Sequence, residues 1–218
     1  MILHRDDRLV AVDKPSGVAT HRGWADDDDA LLQRVRDEVG TYVYPIHRLD
    51  RGASGVVLFA LDKDAARALT DAWMSKQADK RYVAITRGHP PEHVVIDHPV
   101  LQRERDGDRV DAVTEVWRRE TFGRYALVEA KPITGRLHQI RRHLKHIACP
   151  LIGDVRYGKG EHNRLFRTEH GLHRLALHCT RLTVPHPDGG LLVVECALPA
   201  DLAHAVASCR LAYGVSSP

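Results

Sequence analysis

The stretch from residue 80 to residue 131 most limits what this chain can fold into. Four strand-like segments follow one another there: "KRYVAITRG", "HVVIDHPVL", "VDAVTEVWRRE" and "RYALVEAK". In "VDAVTEVW" valine alternates with polar residues, the pattern of a half-buried antiparallel strand. The earlier "GVVLFAL" is continuously apolar and predicts a buried strand. Helical patterns surround these strands. "DDDDALLQRVRDEVG" offers aspartates for an N-terminal cap and first turn, then a stripe of Leu31, Leu32, Val35 and Val39, then Gly40 as its end. "DKDAARALTDAWMSKQ" predicts a second helix capped by Asp62, "GRLHQIRRHLKHI" a third, and "PADLAHAVASCRLA", with Pro199 near its start, a last one. "LVAVD" runs as a strand into a Lys14-Pro15-Ser16-Gly17 turn, while "RLTVPHP" and "LLVVECAL" form a hairpin around Asp188-Gly189-Gly190. The pattern is α+β: a mixed, mainly antiparallel central sheet decorated by helices and loops. No repeat, low-complexity tract or linker interrupts residues 1–218.

Charge is segregated along the chain. Residues 1–130 carry 20 Lys and Arg against 23 Asp and Glu, and residues 182–218 carry 1 against 3. Residues 131–181 carry 11 against 3, so this stretch holds all the positive excess, and it also contains seven histidines. Such segregation is the footprint of a face that binds a polyanion, and nucleic acid is the expected partner. With 43% hydrophobic and 28% charged residues the chain has the composition of a soluble globular protein. No window approaches the run of about eighteen apolar residues that a membrane span needs. Arg5, Asp6, Asp7 and Arg8 stand where a signal peptide would be apolar, so a cytoplasmic location is expected.

Cys149, Cys179, Cys196 and Cys209 form no C-x-x-C pair and are expected to be reduced and partly buried. The densest histidine group is His138, His143 and His146, whose spacing does not place three imidazoles on one helix face. No cysteine or acidic residue stands at ligand spacing beside them, and no metal is expected. On the same helix Leu137, Ile140, Leu144 and Ile147 share an arc, with Arg141 at its edge and Arg142 and His146 pointing away. An arginine at the edge of an apolar stripe needs a carboxylate if it is partly buried. Asp50, set between Arg48 and Arg51 in "HRLDRGAS", is a candidate that spacing alone does not pair with it.

"HRLDRGASG" resembles the HRLDRxTSG signature of the RluA-type pseudouridine synthases. "VDKPSGVATH", "KRYVAITRG" and "TGRLHQIRRHLKHIACPLIGDVRYG" resemble further motifs of that family in the same order. The last is similar to its TGRxHQxRxHxxxxxxPxxGDxxYG block nearly letter for letter, and "LHRLALH" to its closing leucine-rich strand. The likeness runs from about Val12 to His178. One departure is Ala53, where the family usually has threonine; that residue is expected to support the loop and not the reaction. The segment "GKGEHNRLFRTEHGLHRLALH" is similar to the branch of the family that modifies uridine 65 in the T stem of certain tRNAs.

The resemblance implies a pseudouridine synthase core, a single catalytic domain over 1–218 without a separate N-terminal RNA-binding domain, and isomerisation of a tRNA uridine. It implies no cofactor and no metal, because the substrate supplies every atom. No protein partner is implied. Asp50 matches the indispensable aspartate, for which three roles stay open: attack on C1′, attack on the base ring, or removal of the C2′ proton. Arg141 matches the arginine that pairs with that aspartate, and Tyr82 the active-site tyrosine. Arg48 matches an arginine that fills the space left by an extruded base, and Leu175 or Leu177 is expected to pack beneath tyrosine or base. Arg136, Arg142 and Lys145, with Arg156, Lys159, Arg164 and Arg167, are expected to contact phosphates. Lys14, Pro15, Gly17, His21, Gly52, Gly55, Gly135 and Gly153 are expected to shape the loops. Two other readings are a ribosomal RNA uridine as target and a catalytically silent RNA-binding protein.

Overall fold

Residues 1–21, 30–103 and 107–216 are described in a computed structural model of the chain. Its strands in chain order are β1 (Ile2–Arg5), β2 (Leu9–Lys14), β3 (Tyr44–Pro45), β4 (Ser54–Ala60), β5 (Asp79–Arg87) and β6 (His93–Asp97). They continue as β7 (Val100–Leu101), β8 (Arg109–Val110), β9 (Val113–Phe122), β10 (Tyr125–Pro132), β11 (Leu177–Pro185) and β12 (Leu191–Glu195). The helices are α1 (Leu31–Val39), α2 (Lys63–Met74), α3 (Gln139–His146), α4 (Gly160–Glu169) and α5 (Ala200–Tyr213). These elements form two units, Met1–Lys80 with Cys179–Ala197, and Arg81–His178 with Leu198–Pro218. Both are α+β, as the pattern of the sequence requires.

In the first unit the strand order is β1-β2-β4-β11, with β12 on β11 and β3 on β4. β2 and β4 pair antiparallel from Leu9↔Ala60 to Lys14↔Gly55. Every residue of β4 is buried, which is why its sequence is a continuous apolar run and not an alternation. Gly55 sits at φ +111, and a Cβ there would run into the carbonyl of Cys179 on the neighbouring strand. Only glycine allows that approach. Asp62 caps α2 by accepting from the Ala65 N–H at 2.8 Å. α1 buries Leu31 and Val35 and stops at Gly40 in the left-handed region, while the four aspartates expected to cap it lie outside the described residues.

The second unit orders its strands β5-β10-β9-β6, each neighbouring pair antiparallel. Register places Ile85 opposite Leu127, and that face packs with Tyr125, Phe166, Leu202, Val206 and Cys209 into a core under α4 and α5. Tyr82 stands opposite Ala130, and Ala130 opposite Val116, on the other face. Thr114 shares that second face, and α3 docks there: Gln139 Nε2 and His143 Nδ1 both reach the Thr114 hydroxyl, at 2.9 and 2.8 Å. Tyr82 and the helix of Arg141 therefore occupy one side of this sheet.

Three boundaries differ from the sequence expectation. "HVVIDHPVL" divides into β6 and β7 because Pro99 has no N–H to continue a ladder. "VDAVTEVWRRE" likewise divides, its start pairing with β7 as β8. α3 begins at Gln139 and not at Gly135, since His138 is left-handed at φ 53 and the Gln139 side chain accepts from the Arg136 N–H at 3.0 Å. α4 lies in a segment for which no helix was expected. Its buried face is His162, Asn163 and Phe166, two polar residues of three, so no apolar stripe announces it. All four cysteines are buried and unbridged, and burial pushes the Cys196 and Cys209 thiols up to about 12.

Gly55→Ala is expected to destabilise the protein by at least about 3 kcal/mol, the strain and the clash acting together. Gly135→Ala, with open space around it and no positive φ, should be near neutral. Chemical denaturation of both variants checks this; equal midpoints would contradict it.

Candidate active site

Asp50 stands half-buried on the loop between β3 and β4, and that loop is held from beneath by the turn after β2. Lys14 is fully buried, and its ammonium donates to the carbonyls of Pro15, Val18 and Arg51 at 3.0, 2.7 and 3.2 Å. The Gly17 N–H donates to Arg51 O at 2.8 Å, Arg51 Nε returns a bond to Gly17 O, and Ser16 Oγ donates to Gly52 O. Thr20 Oγ1 exchanges bonds with the backbone of Leu49. The Ala53 N–H closes the turn on Asp50 O at 3.0 Å, and the buried Ala53 side chain offers no hydroxyl to it. Arg48 is exposed on the same loop. His47 anchors the other end: its Nε2 accepts from the Leu58 N–H and its ring stacks on Trp73 at 4.5 Å between centroids. Lys80 lies over the same indole at 4.9 Å. Burial, with the Lys80 charge beside it, holds the His47 imidazole well below its usual range, so the ring is neutral.

In the second unit Tyr82 is buried in β5 among small residues, Ala84 beside it and Ala130 opposite. Arg141 on α3 finds its carboxylate in the loop before α4. Its Nε and Nη2 donate to Asp154 Oδ2 and Oδ1 at 2.7 and 3.0 Å, and the Asp154 side chain has no solvent exposure. Oδ1 also accepts the N–H groups of Arg156 and Tyr157, both at 2.9 Å. Burial alone would raise this carboxyl, but the hydrogen bonds and charge of Arg141 and those two amides outweigh it and hold it below the usual range. A fixed anion thus aims the arginine in a two-pronged geometry.

Tyr157 gathers the basic residues. The Arg141, Arg142, Lys145 and Arg156 cations lie 5.1, 5.9, 5.7 and 5.6 Å from its ring centroid. Its hydroxyl meets Arg142 Nε at 3.0 Å and His138 Nδ1 at 3.2 Å. Arg142 further donates to the carbonyls of Leu101 and Arg103, so its guanidinium ties the β7–β8 hairpin to α3. Arg136 is exposed and donates from Nε to Asp111 O at 3.1 Å. Lys145, Arg156, Lys159, Arg164 and Arg167 are exposed. Leu175 and Leu177 are buried in the segment leading into β11, where the Arg174 guanidinium donates to both of their carbonyls. Asp154 and Tyr157 escaped the sequence reading, although both stand in the same long motif as Arg141. Membership of one motif block was the signal that could have found them.

The comparisons with known proteins agree with this arrangement of motifs. A family model described as RNA pseudouridylate synthase matches residues 8–146. A tRNA pseudouridine synthase C from Pasteurella multocida is 39% identical, over 90% of this chain and 90% of its own. One from Salmonella typhimurium is 38% identical, over 90% and 85%. Among solved structures, human RNA pseudouridylate synthase domain containing 4 superposes with a TM-score of 0.80 and 31% identity, covering all of this chain and 94% of its own.

His47, His143, His162 and His170 are buried, and burial lowers each of them below 6.5. The unfolded chain takes up protons near pH 6.5 while the folded chain does not. Stability is therefore complete above that pH and falls as pH drops toward the lower folded values. We expect the thermal midpoint to fall steadily from pH 7 to pH 5, each such histidine contributing up to about 1.4 kcal/mol per pH unit. A midpoint constant over that range would contradict these assignments.

Proposed function

The chain belongs to the RNA pseudouridylate synthase family, and from that premise we propose that it converts a uridine of tRNA to pseudouridine, at position 65 in the T stem. The observation that carries the reading is agreement over nine-tenths of this chain with relatives named as tRNA pseudouridine synthase C. Residues 1–218 act as one catalytic domain. No described helix is long and apolar enough to cross a membrane, and the enzyme acts in the cytoplasm, where its substrate is.

The reaction breaks the C1′–N1 bond of uridine, turns the uracil, joins C1′ to C5 and moves the C5 proton away. Asp50 reacts as an ionised carboxylate, whether at C1′, at the base ring or at the C2′ proton. Arg141, aimed by Asp154, matches the arginine that partners this aspartate in the family. Tyr82 stacks on the uracil, and its hydroxyl assists proton transfer at C5. A stem uridine must leave its helix, at a cost of a few kcal/mol, and the exposed Arg48 fills the gap. Leu175 or Leu177 packs beneath the tyrosine or the base. Arg136, Arg142 and Lys145, with the exposed cations of α4, bind the backbone of the A-form stem, which is recognised by shape.

Purified protein and transcribed tRNA test this directly, with pseudouridine mapped by nucleotide. Asp50→Ala should lower turnover by more than about a thousandfold and still bind tRNA; substantial residual turnover would remove Asp50 from the chemistry. Tyr82→Phe should slow the single-turnover rate more than it weakens binding. Affinity should fall steeply as salt rises, because neutralised phosphates release counterions; a flat response would take residues 131–181 out of the interface. Modification of ribosomal RNA with tRNA untouched would overturn the substrate.

A further inference from the structure

The segment "GKGEHNRLFRTEH" forms α4, and one of its buried side chains does something other than pack. Phe166 belongs to the core under α4 and α5, and His162 Nδ1 meets the Tyr125 hydroxyl at 2.9 Å. Asn163, 4% exposed, turns both ends of its amide onto the loop ahead of the helix. Its Oδ1 accepts from the Gly153 N–H at 2.8 Å, and its Nδ2 donates to Asp154 O at 3.0 Å. From that same Asp154 the carboxylate reaches Arg141 at 2.7 and 3.0 Å. The turn cannot shift freely, because Gly153 is left-handed at φ +75 and packs so closely on Arg174 O that a Cβ would not fit. Asp154 thus links α4, bonded at its backbone carbonyl, to the guanidinium, bonded at its carboxylate.

We propose that Asn163 is a positioning residue for pseudouridine formation, setting the place of the Arg141 guanidinium through the Gly153–Asp154 turn and the Asp154 carboxylate. The inference rests on the role of Arg141 given under the proposed function. The position needs one donor and one acceptor on a single short, planar group, which asparagine supplies. Aspartate would keep the acceptor for Gly153 but set a carboxylate oxygen against Asp154 O. Alanine would take the acceptor from the buried Gly153 N–H and leave Asp154 O with the Gly158 N–H in place of two donors. Either change removes one of the bonds that fix the turn, and displacement of a reacting constellation by about 1 Å is enough to cost about a hundredfold in rate.

Asn163→Asp, which keeps the size of the side chain, and Asn163→Ala are to be measured beside Asp154→Asn and the packing control Phe166→Leu. The expected result for both Asn163 variants is a single-turnover rate lower by about 10- to 100-fold with tRNA affinity unchanged. Asn163→Ala and Asp154→Asn should combine to less than the sum of their effects, as members of one path do. Phe166→Leu should lower the melting temperature and leave the single-turnover rate unchanged at temperatures where the variant is folded. An active enzyme whose Asn163 variants keep the wild-type rate, or lose rate and tRNA affinity together only in step with melting temperature, would overturn this inference alone. Full activity of Arg141→Ala would instead overturn the reading beneath it.

Discussion

A carboxylate without solvent contact is tolerable only if donors replace the water, and Asp154 has them on both oxygens. Removing an ion from water to a dry interior has an idealised cost of about 20 kcal/mol, and several kcal/mol after relaxation. Two arms of Arg141 and the amides of Arg156 and Tyr157 meet that demand. Much of the second unit follows from this one requirement. The loop must turn tightly at Gly153, Asn163 must hold the turn, and α3 must present Arg141 at the edge of its apolar face. Once Asp154 answers Arg141, three further cations remain around Tyr157, and its ring face and hydroxyl offer them a surface to rest on. Cations gathered on one ring make a surface that a polyanion can answer.

The first unit solves a related problem with the opposite charge. Lys14 is buried as an ammonium and is matched by carbonyl oxygens of its own turn and of Arg51. A charge matched by backbone carbonyls holds the turn after β2 and the Asp50 loop to each other. Each unit therefore uses a buried charge to hold a segment whose functional candidate, Asp50 in the first and Arg141 in the second, stays partly accessible.

The sequence was most legible where periodicity and burial coincide. β4 and α2 stand where an apolar run and an Asp62 cap placed them, and the hairpin turns at Asp188-Gly189-Gly190 with Pro185 opposite Leu191. The motif likeness named Asp50, Tyr82 and Arg141, and the structure places Tyr82 and α3 on one face of the second unit's sheet. Legibility failed where polar residues do structural work. α4 buries His162 and Asn163, so nothing apolar marks it; α3 starts late because a glutamine side chain organises the preceding turn. Asp154 and Arg141 lie thirteen residues apart on different elements, a pairing that no helical or strand period reports. Arg142 reads as a surface cation on a helical wheel, yet its guanidinium is bound by carbonyls of a hairpin about forty residues away.

The proposed reaction requires Asp50 to meet a uridine of tRNA. Mapping pseudouridine across tRNA and ribosomal RNA from cells lacking the gene, complemented with wild type or with Asp50→Ala, tests it most directly. One lost site, in the T stem of tRNA, restored by wild type and not by the variant, is the expected result. A tRNA pattern unchanged by the deletion, or restored by Asp50→Ala, would contradict it.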